Sequence, residues 1–159
     1  MAQPDTPADP TDPNGTTDAN GPTDPDCVFC GVVAGEVPAH IVHDGPDAVA
    51  FLDRTPLFEG HVLVVPRWHH RTLADVPAAE LGTFFALVQR LSVAVPESMG
   101  AAGSFVAMNN KVSQSVPHLH VHVVPRNRKD GLRGFFWPRR RYESDGRMAD
   151  VAAQIRRLL

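Results

Sequence analysis

The sequence His-Leu-His-Val-His-Val-Val-Pro at residues 118–125 constrains the fold more than any other part of this 159-residue chain. Successive side chains of a β-strand point to opposite faces of the sheet. A strand here places the three histidines on one face and Leu119, Val121 and Val123 on the other. The apolar face can pack on a core, while the other face presents a row of groups that titrate near neutrality. Such a row can bind a metal, or it can supply a nucleophile, a proton donor and the groups that orient them.

Residues 1–26 differ in composition from the rest of the chain. They contain six Asp and no Lys, Arg or Glu, so subtracting their charge from the net charge of −3 leaves +3 for residues 27–159. They also lack large aliphatic and aromatic side chains, and such a segment cannot bury enough apolar surface to offset the entropy of ordering it. We therefore predict a disordered acidic tail at 1–26, a core domain at 27–126, and a segment at 127–159 that completes the domain.

The first residues have neither the basic start nor the apolar run of a secretory signal peptide. We expect that no segment approaches the ~20 apolar residues that a bilayer-spanning helix needs. We expect a soluble, cytoplasmic protein without a membrane partner.

The apolar pattern predicts five strands and one long helix. Asp75 would cap this helix, which would run from Pro77 to about Val95 and be ended by Pro96 and Gly100. A short helix or turn is expected at 27–35 and a last helix at 148–159. The predicted strands are 39–43, 48–53, 61–65, 104–108 and 117–124.

Several links between these strands are too short for parallel crossovers, which need about a dozen residues. The sequence therefore predicts an α+β domain with an antiparallel five-stranded sheet, one long helix, a C-terminal helix, and the helices on one side of the sheet.

The two cysteines of the chain form one Cys27-Val-Phe-Cys30 unit. Such a unit can be a redox pair, half of a zinc site, or two buried and inert thiols. A redox pair is typically set at a helix start in a βαβ pattern, whereas this pair follows directly on the predicted tail. We favour half of a structural zinc site, with His69 as the third ligand because it follows the strand-like Val64-Val65-Pro66. No cofactor is expected to be required for catalysis.

Several short motifs together resemble the histidine triad family, whose mark is His-φ-His-φ-His-φ-φ with φ apolar. The resemblance covers about residues 27–126. It implies an α+β fold, a two-fold dimer whose sheets join, and a nucleotide cleft beside the triad. Family members hydrolyse or transfer nucleoside monophosphates from phosphoramidate, acyl-phosphate or polyphosphate leaving groups. Apart from the triad, the matching motifs are Cys27–Cys30, Gly35–Ala39, Ala50–Asp53, Gly60–Pro66 and Gln114–Val116.

The same resemblance implies a role for each matching residue. His120 corresponds to the nucleophile, His118 and His122 to residues that flank and orient the phosphate, and His61 to a partner of the first triad histidine. Other matches place Asp53 at a ribose hydroxyl, Gln114 and Ser115 near the scissile bond, and either Asn109 or Asn110 at a nucleotide-binding asparagine.

The residues support this chemistry independently. A neutral imidazole is a good nucleophile and a good leaving group, so His120 can divide one difficult displacement into two easier ones. Neighbouring imidazoles can donate to the charged oxygens of the transferred group, and Ser115 can donate to the leaving group. Asp53 is equally typical of a turn before Arg54-Thr55-Pro56. The side chains of Phe29, Phe51 and Val65 suit either a base-binding pocket or plain core.

Residues 126–141 carry seven basic side chains mixed with Phe135, Phe136 and Trp137. This segment can contact a polyphosphate leaving group or RNA, or it can be a solvated basic face. The rest of the domain is not strongly basic, so we expect no dedicated nucleic-acid binding. The expected partners are a nucleotide substrate and a second copy of the chain. Two other hypotheses stay open: a nucleotide-binding or signalling module with little turnover, and a metalloenzyme with His118, His120 and His122 as ligands.

Overall fold

The computed structural model describes residues 22–132 and 141–158. It divides into two units, one ending at residue 128 and the other starting at 129. Most of the predicted acidic tail and the basic-aromatic residues 133–140 lie outside the described residues. The second unit contains α3 (Asp145–Arg156). The first contains α1 (Val28–Val33), β1 (Ile41–Asp44), β2 (Ala48–Leu52), β3 (Val62–Pro66), α2 (Ala78–Met99), β4 (Gly103–Ala107) and β5 (Val121–Arg126).

The five strands form one sheet in the order β1-β2-β3-β5-β4, and every neighbouring pair is antiparallel. Val49 lies opposite Val65 in the β2–β3 pair, and Leu63 lies opposite His122 in the β3–β5 pair. The α+β class and the five-stranded antiparallel sheet are thus as the sequence predicts.

Both faces of the sheet are covered, so the prediction of helices on one side is wrong. One face packs against α2 through a buried cluster that includes Ala50, Val64, Phe84 and Leu91. The opposite face, which carries Phe51 and other residues of β2 and β3, packs against α1. The physical reason is that β3 is buried at every position and β2 at all but one, so each face presents apolar side chains that need cover.

The long helix starts later and ends later than predicted. Asp75 does not cap it: a short 3-10 helix at Leu73–Asp75 comes first, with Thr72 and Asp75 in a reciprocal capping box. Pro77 then precedes α2 as its N-cap. Pro96 lies inside the helix, which ends at Gly100 in a left-handed conformation with φ 60°.

Pro96 is tolerated inside α2 because the backbone carbonyl that it leaves without a helical donor accepts a hydrogen bond from another residue. A proline has no N–H, so the carbonyl of Ser92, four residues earlier, lacks its helical donor. The Ser104 hydroxyl, at the start of β4, donates to this carbonyl at 3.0 Å. The bond also ties the end of α2 to the sheet.

By length and composition alone, the helix α2 is long and apolar enough to span a membrane. The expectation that no segment has such a composition is therefore wrong. In the structure α2 packs mainly on β5 and β4 and buries Phe84, Leu87, Val88, Leu91 and Val95. It is therefore the core helix of this unit.

Two further element boundaries differ from prediction. The strand β5 begins at Val121, not near residue 117, because the preceding backbone bonds elsewhere: the Leu119 N–H donates to the carbonyl of His70 at 2.6 Å. The last helix begins at Asp145, not Met148, because the Ser144 side chain accepts from the Arg147 N–H and caps it.

The residues 22–26, which we assigned to the tail, contact the core unit. The carbonyl of Pro22 accepts from the His69 N–H at 2.7 Å, and the carbonyl of Asp24 accepts from the Cys27 N–H at 3.1 Å. Within the described residues, ordered contacts therefore start before Cys27.

We predict that Ser104→Ala lowers the free energy of unfolding by about 1–2 kcal/mol, because it leaves the Ser92 carbonyl without a donor. In a Pro96→Ala background, where residue 96 again has an N–H, the same change should cost less. Urea denaturation of the four proteins in this double-mutant cycle measures the difference. Ser92→Ala is the matched control, since it removes a hydroxyl but keeps the carbonyl. Equal costs of Ser104→Ala in both backgrounds would contradict this account.

Candidate active site and metal centre

A cleft on the α1 side of the sheet brings several predicted nucleotide-site residues together. Its lining is mostly apolar, with a few polar side chains, which is typical of a small-molecule site. The walls come from α1, from β2 with the loop that follows it, and from the segment that leads into β5. The predicted site residues that line it are Phe29, Phe51, Asp53, Ser115, His120 and His122.

The main chain fixes His120 in one tautomer. Its Nδ1 lies 2.7 Å from the carbonyl oxygen of His118. A carbonyl only accepts, so Nδ1 carries a proton and donates it, and in the neutral form of this ring the lone pair is on Nε2. The ring is 3% exposed and packs against the edge of Phe29, with ring centroids 5.3 Å apart. A neutral imidazole with a free Nε2 in a cleft is equipped to act as a nucleophile.

His61 and His122 form a hydrogen-bonded pair beside His120. The Leu57 N–H donates to Nδ1 of His61 at 3.2 Å, so a neutral His61 carries its proton on Nε2. That Nε2 lies 3.0 Å from Nδ1 of His122 and donates to it. The proton of neutral His122 is then on Nε2. A main-chain amide thus starts a chain of hydrogen bonds that makes His122 a donor.

The expectation that His61 partners the first triad histidine is wrong: its partner is the third. The antiparallel register places Leu63 of β3 opposite His122, so His61, just before β3, reaches that histidine. His118 lies near the other end of β3, where its Nε2 donates to the carbonyl of Pro66 at 3.0 Å.

The glycine before His61 is required by the turn. Gly60 has φ +86°, and a Cβ there would lie 2.5 Å from Cγ of Met99. Any other residue would therefore strain the backbone and collide with the end of α2. Gly60 lets the chain enter β3 with the His61 ring beside His122.

Asp53 has the turn role that the sequence suggested, and its carboxylate also lines the cleft. Its Oδ1 accepts from the Thr55 N–H at 2.9 Å, which is the turn geometry expected from the sequence. Its Oδ2 lies 3.4 Å from Nδ1 of His61, and the carboxylate lines the cleft. Asp53 therefore stabilises the loop and presents a hydrogen-bond acceptor to a ligand.

Burial keeps the histidine pair neutral. Desolvation, together with the nearby His120 and His61, lowers the pKa of His122 to about 4. Desolvation also lowers the pKa of His61, against a smaller raising effect of Asp53. Both rings are neutral near pH 7, which is the protonation state that the directions of their hydrogen bonds require.

The predicted half zinc site is a four-residue cluster. Ligand atoms of Cys27, Cys30, His69 and His118 all lie within 4.8 Å of one another. Sγ of Cys30 lies 3.3 Å from Nδ1 of His69, and Sγ of Cys27 lies 3.5 Å from Nδ1 of His118. Two thiols and two imidazoles are a donor set that suits tetrahedral zinc.

The hydrogen bonds around this cluster fit a metal. Because Nε2 of His118 donates to the Pro66 carbonyl, its Nδ1 has a free lone pair toward the thiols. Burial lowers the pKa of His118 to about 4 and raises that of the Cys30 thiol to about 11. The imidazole is thus already in its metal-binding form, while the Cys30 thiol would release its proton on binding.

His118 is the fourth member of this cluster, which the sequence did not indicate. Strand alternation treats the three triad histidines alike, and the family resemblance implied a place for His118 beside the phosphate. In the structure His118 is fully buried beside His69, with ring centroids 5.0 Å apart, and it does not belong to the cleft lining described for residues 22–132. Only the three-dimensional position of His69 reveals the fourth ligand.

The predicted polar residues of the loop before the triad hold the loop itself. The side chain of Asn109 donates to the Ser113 carbonyl, Asn110 accepts from the Leu73 N–H, and Gln114 donates to the Arg71 carbonyl at 2.6 Å. None of the three is among the described residues that line the cleft. Ser115, which follows them, is exposed at the cleft.

The sequence profile of the HIT domain family matches residues 34–129, so the chain belongs to this family. An uncharacterised HIT-like protein of Methanocaldococcus jannaschii is 37% identical over 107 residues, which are 66% of this chain and 82% of that protein. The adenosine 5′-monophosphoramidase of Saccharomyces cerevisiae is 32% identical over 108 residues, 67% of this chain and 66% of that protein.

A solved structure of similar fold carries a metal. The zinc-bound histidine triad family protein of Mycobacterium smegmatis superposes with a TM-score of 0.64 at 31% identity, covering 81% of this chain and 97% of that one. The family and the fold that the sequence resemblance implied are thus confirmed.

The lowered pKa of His122 predicts how stability depends on pH. The unfolded chain binds a proton at the ordinary histidine pKa near 6.5, whereas folded His122 binds it only near 4. Between these values the unfolded state holds more protons, so stability falls as the pH falls. His122→Gln should reduce the slope of unfolding free energy against pH in this window by up to about 1.4 kcal/mol per unit. Urea denaturation from pH 7 to pH 4.5 measures both slopes, and parallel slopes would contradict the prediction.

Proposed function

We propose that this protein is a nucleotide hydrolase or transferase. It cleaves nucleoside phosphoramidates, acyl nucleotides or dinucleoside polyphosphates at the α-phosphate through a nucleotidyl-His120 intermediate. The observation that carries the proposal is the Nδ1–H bond of His120 to the His118 carbonyl, which leaves Nε2 free in the cleft. The phosphoramidase named among its relatives supports the reaction class.

The reaction has two steps. In the first, Nε2 of His120 attacks the α-phosphorus, the bond to the leaving nitrogen or oxygen breaks, and a P–N bond to the imidazole forms. The leaving group takes a proton that the Ser115 hydroxyl at the cleft can relay to it from water. In the second step water attacks the same phosphorus and loses a proton to the solvent, the P–N bond to His120 breaks, and the nucleoside monophosphate leaves while His120 returns to its free form.

His122 contributes a directed donor. Its Nε2–H can stabilise charge on the oxygens of the transferred group, and the His61 hydrogen bond keeps the proton on that nitrogen. The rings of His120 and His122 have centroids 5.0 Å apart, so the donor and the nucleophile can address one phosphate. Such positioning and electrostatics supply most of the catalysis in phosphoryl-type transfer.

The remaining cleft suits the nucleoside. The carboxylate of Asp53 can accept hydrogen bonds from ribose hydroxyls, and it lies at the same cleft as His122. The apolar lining, with Phe29 and Phe51, offers a surface on which a base can pack.

We further propose a structural zinc ion held by Cys27, Cys30, His69 and His118. Such an ion links the start of α1 to the end of β3 and the entry to β5, and no step of the reaction needs to pass through it. The geometry therefore favours a nucleophile at His120 over a metalloenzyme that uses the three triad histidines as ligands.

We predict that His120→Ala and His120→Asn abolish turnover, with a loss of at least about 10³-fold in kcat, because no other group supplies the nucleophile. The assay follows AMP release from an adenosine phosphoramidate and from a diadenosine polyphosphate. Both variants should still bind AMP in calorimetry. Wild-type rates in either variant would exclude His120 as the nucleophile. Tight AMP binding by the wild type without turnover of any substrate would instead indicate a nucleotide-binding module.

We also propose a homodimer formed through β4. This strand is at the edge of the sheet, and Val106 on it and Val93 on the neighbouring helix α2 are 42% and 55% exposed. An edge strand that carries exposed apolar side chains is a surface on which a second chain can pack. Light scattering at micromolar concentration should give the mass of two chains, and Val106→Lys should shift it toward one. A monomeric wild type would exclude the dimer.

A further inference from the structure

We propose that Asp24 is an outer carboxylate of the metal site, a residue that binds no metal itself but holds the ligands for it. This inference rests on the zinc site proposed above. It concerns the segment before Cys27, which the composition of the sequence places in an acidic tail without a function.

The polar groups of Asp24 reach three of the four candidate ligands. Its carbonyl accepts from the Cys27 N–H at 3.1 Å. Its main chain also acts on Cys30, where it lowers the pKa of the thiol against the larger raising effect of burial. Its Oδ2 lies 3.7 Å from Nε2 of His69, within the range of an ion pair though too long for a direct hydrogen bond.

The remaining oxygen keeps the residue in place. Oδ1 accepts from the Asp26 N–H at 2.9 Å, which closes a turn and aims the other oxygen at His69. The carbonyl of Pro22 accepts from the His69 N–H at 2.7 Å. The segment therefore approaches His69 twice, through the Pro22 carbonyl and through the Asp24 carboxylate. Asp24 therefore sits where a change in its charge acts on the ligands and hardly at all on the fold.

The chemistry of a carboxylate behind a ligating histidine explains the expected effect. Nδ1 of His69 faces the thiol of Cys30, so its proton must be on Nε2 for Nδ1 to bind a metal. A carboxylate near Nε2 favours that tautomer and makes the imidazole a better electron donor. His118 has an equivalent partner in the Pro66 carbonyl, which means that both histidines of the cluster have an outer acceptor.

The position of Asp24 also bears on metal exchange. An open cavity of about 470 Å³ reaches Cys30 between α1 and the segment 23–25, with Asp24, Arg67 and Trp68 on its wall. A metal or a chelator that approaches Cys30 by this route passes the Asp24 carboxylate.

The test compares zinc affinity in three full-length proteins. Wild type, Asp24→Asn and Asp26→Asn are stripped of metal, and zinc is titrated in competition with a chromophoric chelator. Asp24→Asn keeps the backbone contacts and the turn acceptor but loses the charge, and we expect it to bind zinc about 10–100-fold more weakly. Asp26→Asn removes the same charge two residues away, and it should stay within about threefold of wild type because Asp26 contacts Asp24 through its main-chain N–H, which the substitution keeps.

The outcomes separate this inference from the zinc site on which it rests. A wild type that binds no zinc overturns both. A wild type that binds zinc, with Asp24→Asn of equal affinity, overturns only the role of Asp24. Thermal unfolding of the metal-free proteins gives a second measurement, in which Asp24→Asn should match wild type. A much lower melting temperature of the metal-free variant would show that Asp24 acts through the fold, and would also overturn the proposal.

Discussion

His118 is the residue on which the rest of this site depends. Three polar atoms of His118 have partners. Nδ1 of the ring faces the thiols of Cys27 and Cys30, and Nε2 donates to the carbonyl of Pro66. The main-chain carbonyl of His118 accepts from Nδ1 of His120. The residue is fully buried, so losing any of these partners would leave an unsatisfied polar group in the core. One residue thereby joins the cysteine pair, the end of β3 and His120, and fixes their relative positions.

Strand alternation and local motifs predicted much of this architecture. The spacing of His118 to Val123 placed Leu119, Val121 and Val123 on the face that packs against α2, as the structure shows. It also placed His120 and His122 together at one cleft. The Cys27-x-x-Cys30 unit and His69 meet as expected, because a metal-type donor set carries its own local signature.

The remaining features depend on contacts between distant residues, which no local pattern contains. In the sequence pattern His118 is equivalent to the other triad histidines, and only the positions of Pro66 and His69 distinguish it. Likewise, proline propensity predicts that the helix ends at Pro96. The helix continues because the Ser104 hydroxyl of β4 replaces the missing N–H donor. The second face of β2 and β3 needed a cover, and the sequence did not show that α1 provides it.

The tautomers of the histidines at the cleft originate in the main chain, since the amide of Leu57 orients His61 and the carbonyl of His118 orients His120. The side chain of Leu57 itself is 53% exposed. A substitution there alters the surface of the loop but cannot remove the amide, unless it introduces proline. Position 57 can therefore vary in sequence among descendants of this chain, whereas Gly60 in the same loop must stay glycine. The surface of the loop can change in this way while the proton positions that the proposed reaction needs are inherited with the backbone.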